Sequence, residues 1–166
     1  MKYFISLFIV LIMAGCKKET QDRVDIYMLK SYSLVSNSST SPYTVSITNA
    51  VMEESPLVKD DDIRSYGYRN REFSFRSDIA AGIKNFGPDK AFAVTVNNQP
   101  VYYGKIHPAY LSTMTIGLAT IAPEFISQNS LKIEYMLIEG NTDLKVLDKR
   151  NDKRILNAFV RSNRLK

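Results

Sequence analysis

The chain has 166 residues but only one cysteine, one histidine and no tryptophan. Because Cys16 has no second cysteine to pair with, no disulfide can form within the chain, and its folded state must be stabilised by a core. Because His107 is alone, a zinc site with several histidines is excluded. The sequence also lacks a phosphate-binding glycine loop, a paired-cysteine motif and a dinucleotide fingerprint. We therefore predict no cofactor and no metal.

The first fifteen residues have the pattern of a signal peptide. Lys2 supplies one early positive charge, and an uncharged apolar run and small residues follow it up to Cys16. The run is shorter than the about 20 residues that a membrane-spanning helix needs, and it fits the about 7–15 residues of a signal-peptide core. Residues 1–15 are thus predicted to direct export, and residues 24–166 have the size of a single α+β domain.

Ala14 and Gly15, directly before Cys16, resemble the lipobox of bacterial lipoproteins. The resemblance implies cleavage before Cys16 and attachment of acyl chains such as palmitate, which would hold the protein on a membrane without crossing it. Residues 16–23 would then form a lipidated polar tether. By resemblance to enterobacterial sorting rules, the absence of an aspartate after the cysteine favours the outer membrane of the cell envelope over the inner. The alternative is an ordinary secretory peptide that ends near a cysteine.

Positive charge is concentrated towards the C-terminal end of the chain. The net charge is +5, and residues 145–166 alone carry eight basic and two acidic side chains. Such a surface would suit anionic lipid headgroups, lipopolysaccharide phosphates or an acidic partner, and the alternative is a solvated helix face. The candidate residues are Lys149, Arg150, Lys153, Arg154, Arg161 and Arg164. We expect no nucleic-acid binding, because an exported protein seldom meets nucleic acid and no recognition motif is present.

The apolar periodicity predicts an α+β fold with a mostly antiparallel sheet. Strands are predicted at residues 24–35, 43–50, 63–68, 72–76, 91–97, 101–106, 114–121 and 130–138, with a short edge strand at 144–147. A helical turn is predicted near Asp60, where adjacent carboxylates favour a helix N-terminus over a calcium site.

A strand-helix-strand-strand unit is predicted at the centre of the chain. Ser77 is a suitable N-cap for a helix at residues 78–86, which a glycine-proline pair would end. The strand at 91–97 is apolar at nearly every position, as expected of a strand covered on both faces, and it should form a hairpin with the strand at 101–106. If the strands on either side of the helix were parallel in one sheet, their connection would be a right-handed crossover.

An amphipathic helix is predicted near the C-terminal end, at residues 152–163, with Asn151 as its N-cap. Its predicted apolar stripe consists of Ile155, Leu156, Phe159 and Val160.

Three segments, at residues 56–65, 73–75 and 91–106, are similar to the periplasmic head domain of the SecD-type translocase subunit. The first contains Pro-Leu-Val-Lys-Asp-Asp-Asp-Ile, and the last joins an apolar run to Pro-Val through a polar turn. The resemblance implies a shared small α+β module, and it makes a helper of protein export or envelope assembly one hypothesis. The chain as a whole resembles the small lipoproteins of Gram-negative bacteria.

Tyrosines cluster at Tyr66 and Tyr68 and again at Tyr102, Tyr103 and Tyr110. Tyrosine suits a contact surface because it buries a large area with little loss of entropy and keeps a polar tip. Adjacent residues of a strand face opposite sides, so Tyr102 and Tyr103 cannot line one groove, and one of them belongs to the core. The candidate binding surface consists of Tyr66, Tyr68, Tyr103, Tyr110 and His107.

His107 is the remaining candidate for chemistry, although Pro108 after it favours a loop. Composition allows a Ser-His-acid site, but no Gly-x-Ser-x-Gly elbow exposes a nucleophile, so we predict no catalytic residue. The leading hypothesis is a non-catalytic, membrane-anchored lipoprotein that binds an envelope protein or polymer. The alternatives are an export or assembly helper and an envelope hydrolase that uses His107.

Overall fold

The structure, a computed structural model, describes residues 21–37, 43–113 and 115–166. The predicted signal peptide, Cys16 and most of the tether lie outside the described residues. The strands are β1 Val24–Asn37, β2 Thr44–Met52, β3 Ile63–Gly67, β4 Glu72–Phe75, β5 Ala91–Val96, β6 Gln99–Ile106, β7 Ala119–Ile121, β8 Ser130–Lys132 and β9 Glu134–Tyr135. The helices are α1 Ala80–Ile83, α2 Thr142–Leu147 and α3 Lys153–Arg161. Short 3-10 turns lie at Asp60–Asp62 and Pro123–Phe125.

These strands form two sheets. The larger has the order β2-β1-β5-β6-β7-β9, and the smaller has the order β3-β4-β8. The strand pairs are antiparallel except for β6 with β7. The predicted α+β class with a mostly antiparallel sheet is therefore confirmed, as is the helical turn near Asp60.

The β5–β6 hairpin lies at the centre of the larger sheet. All six side chains of β5 are buried, because its neighbours cover both edges and the core covers its faces. Asn97 and Asn98 form the turn with φ values of 52° and 63°, in the left-handed region that asparagine tolerates. Val96 then pairs with Gln99, which closes a two-residue connection of the kind that matches strand twist. The predicted hairpin is confirmed.

An aromatic cluster joins the smaller sheet to α3. The rings of Tyr66 in β3 and Phe73 in β4 have centroids 4.7 Å apart, and Phe159 of α3 lies 5.4 Å from Tyr66. All three side chains are fully buried. Each such ring pair contributes about 0.5–1.5 kcal/mol beyond the area that it buries. The cluster is continuous with Phe92 and Val94 of β5, so both sheets and α3 share this core.

The strand-helix-strand-strand unit does not form as predicted. β4 belongs to the smaller sheet and β5 to the larger, so the connection between them is not a crossover within one sheet. The helix between them is limited to Ala80–Ile83. Asp78, not Ser77, accepts a hydrogen bond from the backbone N–H of Ala80, at 2.8 Å. Gly82 has a low helix propensity, which explains why the helix is short.

Two strand predictions are corrected near the end of the chain. The edge strand predicted at 144–147 is part of helix α2, because the Asn141 side chain caps it by accepting from the N–H of Leu144 at 3.0 Å. The strand predicted at 130–138 is divided at the buried Ile133 into β8 and β9, which pair in different sheets. Of the strand predicted at 114–121, β7 is the part that forms among the described residues.

Helix α3 confirms the predicted C-terminal helix with a shifted cap and stripe. Its N-cap is Asp152, one residue after the predicted Asn151. Ile155 and Phe159 are buried as predicted, whereas Val160 is 58% exposed. Residue 160 is rotated by about 100° from residue 159 around the helix, so it leaves the buried face. Ala158, rather than Val160, completes the stripe.

Candidate functional site

The predicted tyrosine surface is divided by the fold, and Tyr66 does not belong to it. Tyr66 is fully buried in the aromatic cluster, and its hydroxyl donates to the backbone oxygen of Arg150 at 2.8 Å. Burial raises the pKa of this hydroxyl well above its ordinary value. Tyr68 is 49% exposed. Residues two positions apart on one strand face the same side of the sheet. Because β3 ends at Gly67, Tyr68 lies in the following turn and does not share the face of Tyr66.

Tyr68 borders an open groove of about 580 Å³ at one end of the smaller sheet, which we call the Tyr68 groove. Its lining residues are Ser65, Gly67, Tyr68, Arg69, Asn70, Glu72, Ser74, Leu165 and Lys166. Three of these nine residues, Ser65, Gly67 and Ser74, are small. A Cβ atom at Gly67 would meet the side chain of Asn70, so a larger residue there would displace that side chain from its place in the wall.

The last residues of the chain form one wall of this groove. The N–H of Tyr66 donates to the oxygen of Arg164 at 3.0 Å, and the N–H of Lys166 donates to the oxygen of Tyr66 at 2.9 Å. The N–H of Tyr68 then donates to the oxygen of Lys166 at 2.8 Å. On the other wall, Asn70 Nδ2 donates to Glu72 Oε2 at 2.7 Å. The groove is therefore held open by backbone and side-chain hydrogen bonds before any ligand binds.

The second group of predicted residues does not converge on the Tyr68 groove. Tyr102 is 8% exposed, and burial raises the pKa of its hydroxyl well above the ordinary value. Tyr103 is half-buried on the other face, beside a small cluster that includes Ala93. This confirms that one of the two belongs to the core. Tyr110 is 74% exposed in the loop that follows Pro108.

His107 lies in a separate cavity of about 250 Å³. Its Nδ1 is 3.3 Å from Thr115 Oγ1, and its backbone N–H donates to the oxygen of Ile121 at 2.8 Å. Glu134 lines the same cavity, but its carboxylate pairs with Lys132 Nζ at 2.6 Å. These contacts hold His107 in place as a half-buried loop residue, which agrees with the prediction made from Pro108. The hydrolase hypothesis stays a prediction.

Two of the six predicted basic contact residues are buried in ion pairs. Arg150 Nε and Nη2 donate to the two carboxylate oxygens of Asp148 at 2.9 and 2.7 Å, and Arg150 Nη1 donates to the oxygen of Ile133 at 2.8 Å. Arg164 Nη2 lies 2.7 Å from Asp60 Oδ1, with only 12% and 8% of the two side chains exposed. Arg150 and Arg164 are therefore not available to an anionic surface, and their prediction as contacts is corrected.

The other four predicted basic residues, Lys149, Lys153, Arg154 and Arg161, are exposed. Arg154 and Arg161 border a polar groove of about 540 Å³, which we call the tether groove. Its lining residues are Asp22, Val96, Asn97, Gln99, Arg154, Asn157 and Arg161. Sequence reasoning did not single out Asn97, Gln99 or Asn157 for binding, because turn and helix residues meet here only in the folded protein.

The acidic run at Asp60–Asp62 serves the fold. Asp60 is 6% exposed and accepts from the N–H of Val24 at 2.9 Å as well as from Arg164. Among the described residues, no group of three or more histidine, cysteine or acidic side chains is arranged to hold a metal ion. The interpretation of the run as a helix N-terminus agrees with the 3-10 turn at Asp60–Asp62.

Sequence reasoning also missed an exposed apolar segment. Met136, Leu137 and Ile138 are 36%, 46% and 38% exposed, and Val146 and Leu147 of α2 are 67% and 44% exposed. The sequence predicts a strand through residue 138, but β9 ends at Tyr135. A signal existed in the three consecutive apolar residues, since alternation fails there.

Comparisons with protein-family models, curated proteins and solved structures found no match to this chain. Of the helices that the structure describes, none has the length and apolar character needed to cross a bilayer.

Proposed function

We propose that this protein is a lipid-anchored, non-catalytic binding module of the cell envelope, and that the Tyr68 groove holds a segment of a partner protein. The groove is the single observation that supports binding. Tyr68, which is 49% exposed, lines about 580 Å³ of space whose walls are joined by backbone hydrogen bonds. A site that is ordered before binding loses little entropy when it is filled.

The groove has the chemistry of a polypeptide site. Tyr68 offers a flat apolar face with a polar tip, and Leu165 extends the apolar lining. Arg69 and Glu72 place charges of both signs among the same lining residues. Such a combination suits a peptide segment that carries an apolar side chain and both polar backbone groups. An envelope polymer is the alternative ligand.

The anchor rests on the lipobox-like residues before Cys16. In this proposal the acyl chains on Cys16 hold residues 24–166 at the outer membrane, and the groove recruits a partner there. A role as an export or assembly helper stays a prediction, because the three SecD-like segments contribute to both sheets and to the turn at Asp60–Asp62 and supply only Ser65 and Ser74 of the groove lining.

In-cell crosslinking with mass spectrometry tests the groove. Tyr68→Ala should lower capture of the partner by about tenfold or more, which is the effect of removing a contact worth about 1.4 kcal/mol. Tyr43→Ala is the matched control, since Tyr43 is 68% exposed and lies outside the groove. Equal capture by both variants would show that the groove is not the binding site.

Acylation of Cys16 is tested in the same cells by metabolic labelling with a palmitate analogue. The wild-type chain should carry the label and sediment with the outer membrane, and Cys16→Ser should do neither. Label that persists in Cys16→Ser, or a wild-type chain without label, would overturn the anchor.

A further inference from the structure

The point at which the tether enters the fold is fixed by contacts from two elements. Asp22 accepts from Arg161 Nη1 of α3 at 2.9 Å and from Asn97 Nδ2 of the β5–β6 turn at 2.8 Å. The N–H of Arg23 donates to Asn97 Oδ1 at 2.9 Å. Asp22 lies six residue steps after Cys16, and a chain of that length spans at most about 21 Å. An acylated Cys16 would therefore keep this end of the larger sheet, the tether end, close to the membrane surface.

The tether groove lies at this end and is rich in hydrogen-bond donors. Arg154, Asn157 and Arg161 follow one another at helical spacing along one face of α3. The Arg154 and Arg161 side chains are 52% and 64% exposed. Each guanidinium has five N–H donors, so pairing with one aspartate leaves capacity for a phosphate oxygen. Nothing acidic occurs within α3 itself, and Lys153 adds a third positive charge.

The anchor favours a lipid over an acidic protein as the ligand of the tether groove. Asp22 lines the groove. The six residue steps from Asp22 to Cys16 place the acyl chains within about 21 Å of it, so lipid phosphates are the anions that the groove meets first.

We propose that the tether end docks on the phosphate headgroups of the membrane that carries the anchor. Arg154 and Arg161 bind lipid phosphate in the tether groove. This inference rests on the proposed lipid anchor but is independent of the Tyr68 groove. Docking would fix the orientation of the domain on the membrane, whereas a tether alone would leave it free to rotate.

The test uses the full lipidated chain reconstituted into phosphatidylcholine vesicles, with or without about 30% phosphatidylglycerol. Because Cys16 is the sole cysteine and is blocked by lipid, an introduced cysteine can be labelled alone. Gln99→Cys places a fluorophore at the tether end. Lys90→Cys places it at the opposite end of β5, about 20 Å away at the rise of a strand. Nitroxide-bearing headgroups quench whichever label approaches the membrane.

With phosphatidylglycerol present, the label at residue 99 should be quenched strongly and the label at residue 90 weakly. Arg154→Gln together with Arg161→Gln should shift the ratio of docked to undocked protein by about 25-fold, since each basic residue near an anionic surface contributes about fivefold. Lys30→Gln together with Lys84→Gln is the matched control, because both lysines are exposed and lie outside the tether groove. That control should leave quenching unchanged.

Three outcomes would overturn the inference. Equal quenching at residues 90 and 99 would mean that the domain rotates freely on its tether, with the anchor intact. Strong quenching at residue 99 that is the same with and without phosphatidylglycerol, and the same in the double arginine variant, would rule out phosphate binding. Weak quenching at both positions, with an acidic protein captured at residue 99 in cells, would reassign the surface to that protein. A chain that fails to acquire lipid at all would instead contradict the anchor on which the inference rests.

Discussion

The same tripeptide, Asp-Lys-Arg, occurs twice in succession, at residues 148–150 and 152–154, and the fold gives the two copies different roles. In each copy the arginine Nε lies 2.9 Å from the aspartate Oδ1, and the backbone N–H of the arginine donates to the same oxygen. The local geometry is thus nearly identical. The exposed fractions differ, at 7% for the Arg150 side chain and 52% for that of Arg154.

The difference shows that burial, not contact distance, decides what an ion pair does. Arg150 is enclosed by Tyr135, whose ring centroid lies 5.6 Å away, and by the oxygen of Ile133, so its charge has no access to water. Burial raises the pKa of the Tyr135 hydroxyl to about 12. Arg154 lines the tether groove, and its pair with Asp152 is open to water. The buried copy is part of the core, and the exposed copy belongs to the solvated surface.

The largest expected effect comes from Arg150→Ala. The substitution leaves the Asp148 carboxylate buried without its partner and removes a donor from the Ile133 oxygen, so it should lower the free energy of unfolding by about 3–5 kcal/mol. Urea denaturation at pH 7 measures the change. A loss below about 1 kcal/mol would mean that the two copies are energetically equivalent and that burial does not distinguish them.

An intermediate effect is expected from acidification. Burial pushes the pKa of Asp148 upwards, but hydrogen bonds from the Arg150 side chain and backbone outweigh it and hold the pKa below its usual value. A lowered pKa stabilises the fold above about pH 4, the pKa of an unfolded aspartate, and this contribution is lost as the pH falls through the folded value. The difference in unfolding free energy between wild type and Asp148→Asn should therefore narrow from pH 7 to pH 3.

Asp152→Asn is the control for this titration. The hydrogen bond from the Arg154 side chain lowers the pKa of Asp152, but the pair is exposed and asparagine is also a good N-cap for α3. The unfolding free energy of Asp152→Asn should stay within about 1 kcal/mol of the wild-type value at pH 7 and at pH 3. If the difference in unfolding free energy between wild type and Asp148→Asn were as large at pH 3 as at pH 7, the Asp148 carboxylate would not stabilise the fold through its charge.

The smallest effect is expected from Arg154→Ala, the exposed counterpart of Arg150→Ala. An exposed pair contributes about 0–1 kcal/mol, so the midpoint of urea denaturation should hardly move. Added salt should reduce even this small difference, because it screens exposed charges. A loss as large as that of Arg150→Ala would mean that Arg154 is part of the structural framework and not of a binding surface.

Local sequence patterns predicted much of the fold. The apolar run of β5 led to a correct strand and hairpin, and the apolar periodicity located strands at β1 and β2, because these signals act between neighbours in the chain. The helix near the C-terminal end was also found, with Asp152 in place of Asn151 as its cap. One strand prediction failed at Ile133, where the chain passes from the smaller sheet to the larger. Another failed after Asn141, whose side chain caps helix α2 where a strand was predicted.

The candidate sites were predicted less well than the fold. Tyr68 and the exposed residues Arg154 and Arg161 were named, but Tyr66, Arg150 and Arg164 were named with them and are buried. Residue type indicates that a side chain is able to bind, whereas its exposure depends on which elements pack above it. Both grooves are lined by residues far apart in the sequence, which no local pattern joins.

By itself, the sequence determined the α+β class, the main hairpins, the amphipathic α3 and the lack of any multi-histidine or disulfide chemistry, since composition and short-range periodicity are enough for these. Only the tertiary structure decided which Asp-Lys-Arg copy is buried, which tyrosine is exposed, and that α3, the β5–β6 turn and Asp22 meet where the tether enters. The physical reason is that desolvation and long-range packing depend on neighbours in space, and two identical tripeptides acquire different neighbours only when the chain folds.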